Sequence, residues 1–184
     1  MLHHTLLPFL VPLALGIAHP QEAGPPIRVA NVDLQRYVGL WYEIARIPNR
    51  FQNQCVWGVT AEYTLRPDGR IDVLNRCYKK DGSLDEAKGL ARVDDKETNS
   101  LLKVSFFSIL GWRPVWGDYW IIDLADDYGY AVVCSPDRKY GWILARDRHL
   151  PKEVLEDIYV RLRRQGFDTS AFQATPQEAP VQGG

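Results

Sequence analysis

Between Gly39 and Arg146 apolar and polar side chains alternate with period two. The runs are short and turn signals separate them about every ten residues, the pattern of an all-β sandwich or barrel. The first run, Gly39-Leu40-Trp41-Tyr42-Glu43-Ile44, follows a short helical turn at Asn31–Tyr37. A glycine two residues ahead of a tryptophan predicts a sharp bend and then a deeply buried indole. The clearest turn is Arg66-Pro67-Asp68-Gly69, a tight hairpin loop with a bulge at Gly69. Pairing Arg66 with Arg70 sets Leu65 opposite Ile71, Tyr63 opposite Val73 and Ala61 opposite Asn75. With this hairpin, the runs Trp41–Ile47, Leu84–Val93, Leu101–Phe107, Asp118–Leu124, Tyr130–Cys134 and Tyr140–Arg146 make eight strands. Their connections are too short for parallel crossovers, which predicts an antiparallel, up-and-down order.

Trp142-Ile143-Leu144-Ala145-Arg146 is the predicted floor of the Trp41 pocket, over a hundred residues away. First and last strands that meet close the sheet, and an eight-stranded barrel has a lumen that side chains fill or one small ligand occupies. After the barrel the period changes. Val154, Leu155, Ile158, Tyr159 and Leu162 form one helical stripe behind Pro151 and before Gly166, so a single helix at about 151–165 is expected on the barrel's outside. Arg161, Arg163 and Arg164 read as its solvated end. The expected organisation is a leader over residues 1–18, a linker over 19–30, the barrel domain over 31–173 and a mobile Pro/Gln/Gly-rich tail over 174–184.

The leader is inferred from the apolar run Leu6 to Ile17, too short to span a bilayer, and the small residues Gly16-Ile17-Ala18 that end it. No cysteine follows those residues directly, the first being Cys55. The expectation is therefore export without a lipid anchor: a periplasmic or secreted protein, at most peripheral to an outer membrane. In an oxidising compartment Cys55 and Cys77 become a candidate disulfide with Cys134 left over. Period two puts Cys55, Trp57, Ala61, Tyr63 and Leu65 on the same side as Ile71, Val73, Asn75 and Cys77. A simple register leaves the two cysteines too far apart, so the bridge requires a bulge near Gly58. Cys134, on an outer face beside a turn, is expected to be accessible.

Charge removes one class of function. The formal net charge is -1, with no basic face to meet nucleic acid. Catalysis has few groups to draw on. His3, His4 and His19 lie in or beside the leader, so a Ser-His-Asp or Cys-His nucleophile would depend on His149, which reads as a surface turn residue. Neither a zinc site nor a phosphate cradle fits the spacing, and Asp94-Asp95 and Asp126-Asp127 read as solvated corners. The sequence points to a binding protein rather than an enzyme, with no metal or cofactor. Six Trp, nine Tyr and six Phe against one Met suggest large rigid side chains lining a space.

The chain resembles the lipocalins, and within them the bacterial lipocalin (Blc) type, related to apolipoprotein D and the plant temperature-induced lipocalins. The resemblance runs from about Leu34 to Phe172. It is carried by Trp41-Tyr42-Glu43-Ile44-Ala45, Tyr63-Thr64-Leu65, Val73-Leu74-Asn75, Lys103-Val104-Ser105-Phe106-Phe107, Gly117-Asp118-Tyr119-Trp120, Asp126-Asp127-Tyr128-Gly129-Tyr130-Ala131 and Trp142-Ile143-Leu144-Ala145-Arg146. It implies a structural fingerprint of Gly39, Trp41 and Arg146, with the guanidinium over the indole at the barrel's closed end. Many members of this type look lipid-anchored, and the most familiar ones lack the Cys55/Cys77 pair.

Alternation and resemblance together give the inward face as Tyr63, Val73, Asn75, Val104, Phe106, Tyr119, Val133, Tyr140 and Trp142. These residues either fill the barrel or line a cavity, and Gly89 and Ala91 favour the cavity by leaving space. The apolar loop Ile109-Leu110-Gly111-Trp112-Arg113-Pro114-Val115-Trp116 has two readings. It is a portal that presents Trp116 to the ligand and touches a membrane or a second protomer, or it folds over its own rim. The resemblance implies a carrier of fatty acids or lysophospholipids, tied to envelope maintenance under stress. The alternatives are another apolar ligand (a tetrapyrrole, carotenoid or quinone) or an enzyme using tyrosines as acid and base.

Overall fold

In the computed structural model, which describes residues 24–180, Asp33 caps a one-turn helix, α1 (Leu34–Tyr37), by accepting from the Gln35 N–H. Gly39, at φ +100°, turns the chain out of it into β1 (Gly39–Arg46), a conformation that favours glycine. Seven strands follow: β2 (Trp57–Leu65), β3 (Ile71–Tyr78), β4 (Leu84–Val93), β5 (Leu101–Ser105), β6 (Gly117–Leu124), β7 (Tyr130–Cys134) and β8 (Gly141–Ala145). Each pairs antiparallel with the next, and β8 returns to β1 with Tyr42 opposite Ala145, which closes the barrel. The hairpin has the register read from its turn, Leu65 against Ile71 and Tyr63 against Val73. The expected leader lies outside the described residues.

Period-two alternation sorts the closed sheet into two cores. Inward side chains, among them Trp41, Ile71, Ile121, Val133 and Leu144, pack with Tyr37 of α1. Outward ones, Ala45, Ile122, Val132, Cys134 and Ile143, are covered by Ile158 and Leu162 of α2 (Lys152–Arg164) together with Phe167 and Phe172. Burying each such aliphatic side chain stabilises by about 1.5–3 kcal/mol. The helix ends as expected at Gly166, φ +80°, with Phe167 N–H returning to the Leu162 carbonyl. Pro151 precedes the first turn as the N-cap residue rather than occupying it.

Four local expectations are corrected. Cys134 is buried under α2, and burial pushes its thiol up to about 12, so it is not accessible. Arg161 is not merely a solvated end: partly exposed, it donates from Nε to Asp123 at 2.7 Å and from Nη2 to the Tyr130 hydroxyl at 2.8 Å, tying helix to barrel. Residues 24–30, expected as linker, lie against the barrel, with Val29 N–H donating to the Ile121 carbonyl and Arg28 paired with Asp95 at 2.8 Å. Within the stretch from Ala174, expected to be mobile, residues 174–177 are held. Gln173–Ala174 forms β9 against β1, and Thr175 and Gln177 are buried.

That tail completes the wall. β1 and β2 pair only from Gly39–Tyr63 to Tyr42–Thr60 and then diverge. In the gap, Gln177 Nε2 donates to the carbonyls of Glu43 (2.7 Å) and Val59 (3.1 Å), and the Gly58 N–H donates to the Pro176 carbonyl at 2.8 Å.

Cys55 and Cys77 are bridged, with 5.4 Å between their Cα atoms. The bulge this requires falls at Gly58, φ +63°, where the β2–β3 register shifts between Trp57 and Thr60. The same bulge moves Trp57 away from its expected side, to stack on Tyr78 at 3.9 Å. Replacing both cysteines with serine should lower stability by about 3 kcal/mol, the value for a closed loop of this size, read from the urea midpoint. An unshifted midpoint would mean that the Gln54–Asp85 hydrogen bond, 2.9 Å, already fixes the rim loop.

Candidate functional site

A cavity of about 780 Å³ occupies the barrel and opens at one end, within the range of small-molecule sites. All ten residues expected at the ligand site contribute to its wall: Tyr63, Val73, Asn75, Val104, Phe106, Trp116, Tyr119, Val133, Tyr140 and Trp142. Alternation explains most of them, since every second residue of a barrel strand faces the lumen. Ala87 and Ala91 of β4 leave room, as small inward residues should. Gly89 does not, because the Phe106 ring fills its space; a Cβ there would meet Phe106 Cε1 at 2.7 Å.

Three phenols stand together at the closed end of the cavity. The Tyr119 hydroxyl lies 2.7 Å from that of Tyr37 and 3.1 Å from that of Tyr63. Desolvation pushes Tyr37 and Tyr119 well above the ordinary tyrosine range and Tyr63 up to about 12. At neutral pH all three keep their protons, so they can donate hydrogen bonds but cannot serve as bases. His149 is not part of the wall; it sits in an exposed turn, 3.0 Å from Glu178. Among the described residues no group of three or more His, Cys, Asp or Glu gathers to hold a metal.

Beneath that end lies the fingerprint. Trp41 is fully buried, its Nε1 donates to the Tyr37 carbonyl at 2.8 Å, and the Arg146 guanidinium stacks 3.7 Å from its ring centre. Arg146 also donates to the carbonyls of Arg36, Tyr37, Val38 and Leu40. Gly39 lies beside it, where a Cβ would make only an ordinary 3.4 Å contact with Arg146 Nη1, so it is the +100° φ that calls for glycine.

Sequence reasoning missed part of the wall, including Tyr37, Glu43, Phe51, Gln52, Asp118 and Asp137. Glu43 is a buried carboxylate that accepts from Arg46 (2.6 Å), Thr175 (2.6 Å) and Gln52 (2.7 Å). Gln52 in turn accepts from Trp142 Nε1 at 2.8 Å. The signal available was period two, since Glu43 follows Trp41 by two residues on the inward side.

At the mouth, Ile109 and Trp112 pair across a two-residue tip in which Leu110 and Gly111 both have positive φ. Leu110 is fully exposed and Trp112 67% exposed, whereas Trp116 turns back into the wall and donates to the Arg113 carbonyl at 2.9 Å. The tip thus projects from the rim, while Trp116 folds back into the cavity wall.

A closed antiparallel barrel with an apolar cavity open at one end, a packed helix outside and an Arg-over-Trp seal defines a class of barrel that binds small hydrophobic ligands. The chain belongs to the lipocalin family: residues 32–177 match the Lipocalin-like domain. It is similar to the outer membrane lipoprotein Blc of Escherichia coli (strain K12), 42% identical over 145 residues and covering 78% of each chain. It is also similar to temperature-induced lipocalin-1 of Arabidopsis thaliana, 38% identical with 81% of each covered. Apolipoprotein D of Macaca fascicularis is 35% identical, with 89% of each covered.

Proposed function

We propose that this lipocalin binds and carries single-chain lipids, fatty acids or lysophospholipids, and works outside the cytosol in maintenance of the cell envelope. The observation that carries the reading is the apolar, unfilled interior, long enough to run from the tyrosine floor to an aromatic mouth. Burying an acyl chain of about sixteen carbons gains about 12–13 kcal/mol gross at 0.8 kcal/mol per methylene. Ordering and association costs remove much of this, which leaves micromolar to sub-micromolar binding. An ionic head cannot be desolvated against the aliphatic wall, so it belongs at the mouth.

Location and membrane contact follow from other features. The Cys55–Cys77 bridge suits an oxidising compartment, as does the leader read from the sequence, and the Escherichia coli relative is named an outer membrane lipoprotein. Phe106, Phe107, Ile109, Leu110, Trp112 and Val115 form an exposed apolar rim that can rest on a membrane surface while ligand passes. Native mass spectrometry of the purified chain tests the ligand class. A retained fatty acid or lysophospholipid is expected. A retained pigment or quinone would give the site to another apolar ligand, and an empty barrel that takes up no added lipid would end the proposal.

A further inference from the structure

The floor of the cavity holds one more hydrogen-bond donor than the protein uses. Tyr37 comes from α1, Tyr63 from β2 and Tyr119 from β6, and all three line the cavity. Their hydroxyls meet in two contacts, Tyr37 with Tyr119 at 2.7 Å and Tyr63 with Tyr119 at 3.1 Å. Each phenol brings one proton and each contact consumes one. Among the described residues no other acceptor lies within hydrogen-bond distance of these hydroxyls. The Glu43 carboxylate accepts from Arg46, Thr175 and Gln52 and takes none of them. Whichever way the hydroxyls rotate, one O–H is left without a protein acceptor.

That donor is permanent and braced. Burial keeps all three phenols protonated at neutral pH, as their raised pKa values require. Tyr37, 2% exposed, packs between the Trp41 ring at 5.3 Å and the Tyr63 ring at 6.0 Å, and Tyr63 meets Tyr119 edge-on at 6.2 Å. Around the phenols the wall is aliphatic, with Ile71, Val73, Leu102, Val133 and Leu144. A plain alkyl end pressed onto this spot shuts the donor away from water with nothing to receive it, whereas an oxygen at that end receives it.

We propose that the closed end of the cavity is a donor site for a neutral acceptor oxygen, and that the barrel takes single-chain lipids oxygenated at the end remote from the head. A hydroxyl suits the site in both senses, since it accepts the spare proton and can donate to a phenolic oxygen; a ketone accepts only. This rests on the carrier function proposed above and deepens it, by giving the ligand a second polar point at the far end of its chain.

The test is titration calorimetry of the purified full chain with hexadecanoic acid and its ω-hydroxy analogue, each below its micellar concentration. The hydroxy acid should bind the parent chain at least as tightly as the plain acid. In the triple variant Tyr37→Phe, Tyr63→Phe, Tyr119→Phe, which keeps the rings and removes the hydroxyls, the hydroxy acid should fall about tenfold relative to the plain one, the effect of one buried hydrogen bond. A ratio that is the same in parent and variant overturns the proposal and leaves the carrier function standing; carboxylates that enter head-first give that result, because the variant then weakens both acids alike. Should the variant not fold, the infrared stretch of the (ω−1)-keto analogue bound to the unaltered chain decides. A stretch matching the same ketone with p-cresol in dodecane supports the donor site, and one at its value in dodecane alone or in water overturns it. No binding by any of these acids overturns both the donor site and the carrier function.

Discussion

Replacing Trp41 with alanine is expected to lower the free energy of unfolding by about 3–5 kcal/mol, the cost of truncating a large buried aromatic. The indole is wholly enclosed, between the Tyr37 ring at 5.3 Å and the Arg146 guanidinium at 3.7 Å. Its loss leaves a void under α1 and removes the face on which Arg146 stacks, although Arg146 keeps its hydrogen bonds to four carbonyls. Trp41→Phe should fall between the two, since it keeps much of the volume and loses the N–H donated to Tyr37. Urea unfolding followed by circular dichroism measures both. Ligand affinity of the folded variants should change less than their stability, because Trp41 is not in the cavity wall. Unchanged unfolding midpoints would mean that the strand ladder alone holds the closed end.

Glu43→Ala should cost a similar amount, about 3–5 kcal/mol, because removing one partner of a buried pair strands the other. Three donors lose their acceptor at once: Arg46, Gln52 and Thr175. Glu43 also joins three parts of the molecule, namely the strand β1, the rim loop that carries Gln52 and the tail that carries Thr175. The alanine variant should therefore become cleavable by protease between 173 and 178 under conditions where the parent chain resists. Glu43→Gln keeps an acceptor oxygen and should lose less. A Glu43→Ala protein with an unshifted midpoint and a protected tail would show that the β1–β9 pairing and Gln177 hold the seam without the carboxylate.

The parts of the fold legible in the sequence are those set by short-range rules. Pro67 and Gly69 fix a hairpin, the hairpin fixes a register, and period two then names the lumen-facing side of β2 and β3. Closure was legible because Trp41 needs a partner and Trp142–Arg146 is the stretch able to supply it. The bridge followed once a bulge at Gly58 was allowed, yet that bulge also carried Trp57 to the other side, a consequence that simple alternation does not reveal. Contacts between distant segments stayed hidden. Nothing near Cys134 says that a helix beginning at Lys152 will cover it, and nothing in Thr175-Pro176-Gln177 says that Glu43 and Val59 will take its hydrogen bonds. Composition marked that stretch as loose, whereas two polar side chains with buried partners hold it. Gln52 was missed for the same reason, since its partner Trp142 lies far away in the chain, whereas Glu43 was within reach of period two.

The position of residues 173–177 in the chain has a consequence for biosynthesis and for engineering. Ribosomes finish all eight staves of the cylinder before they make the piece that caulks the slit between the first two. A reporter inserted just before Gln173 would leave that slit open in every copy, while one joined beyond Glu178 would leave the caulk in place.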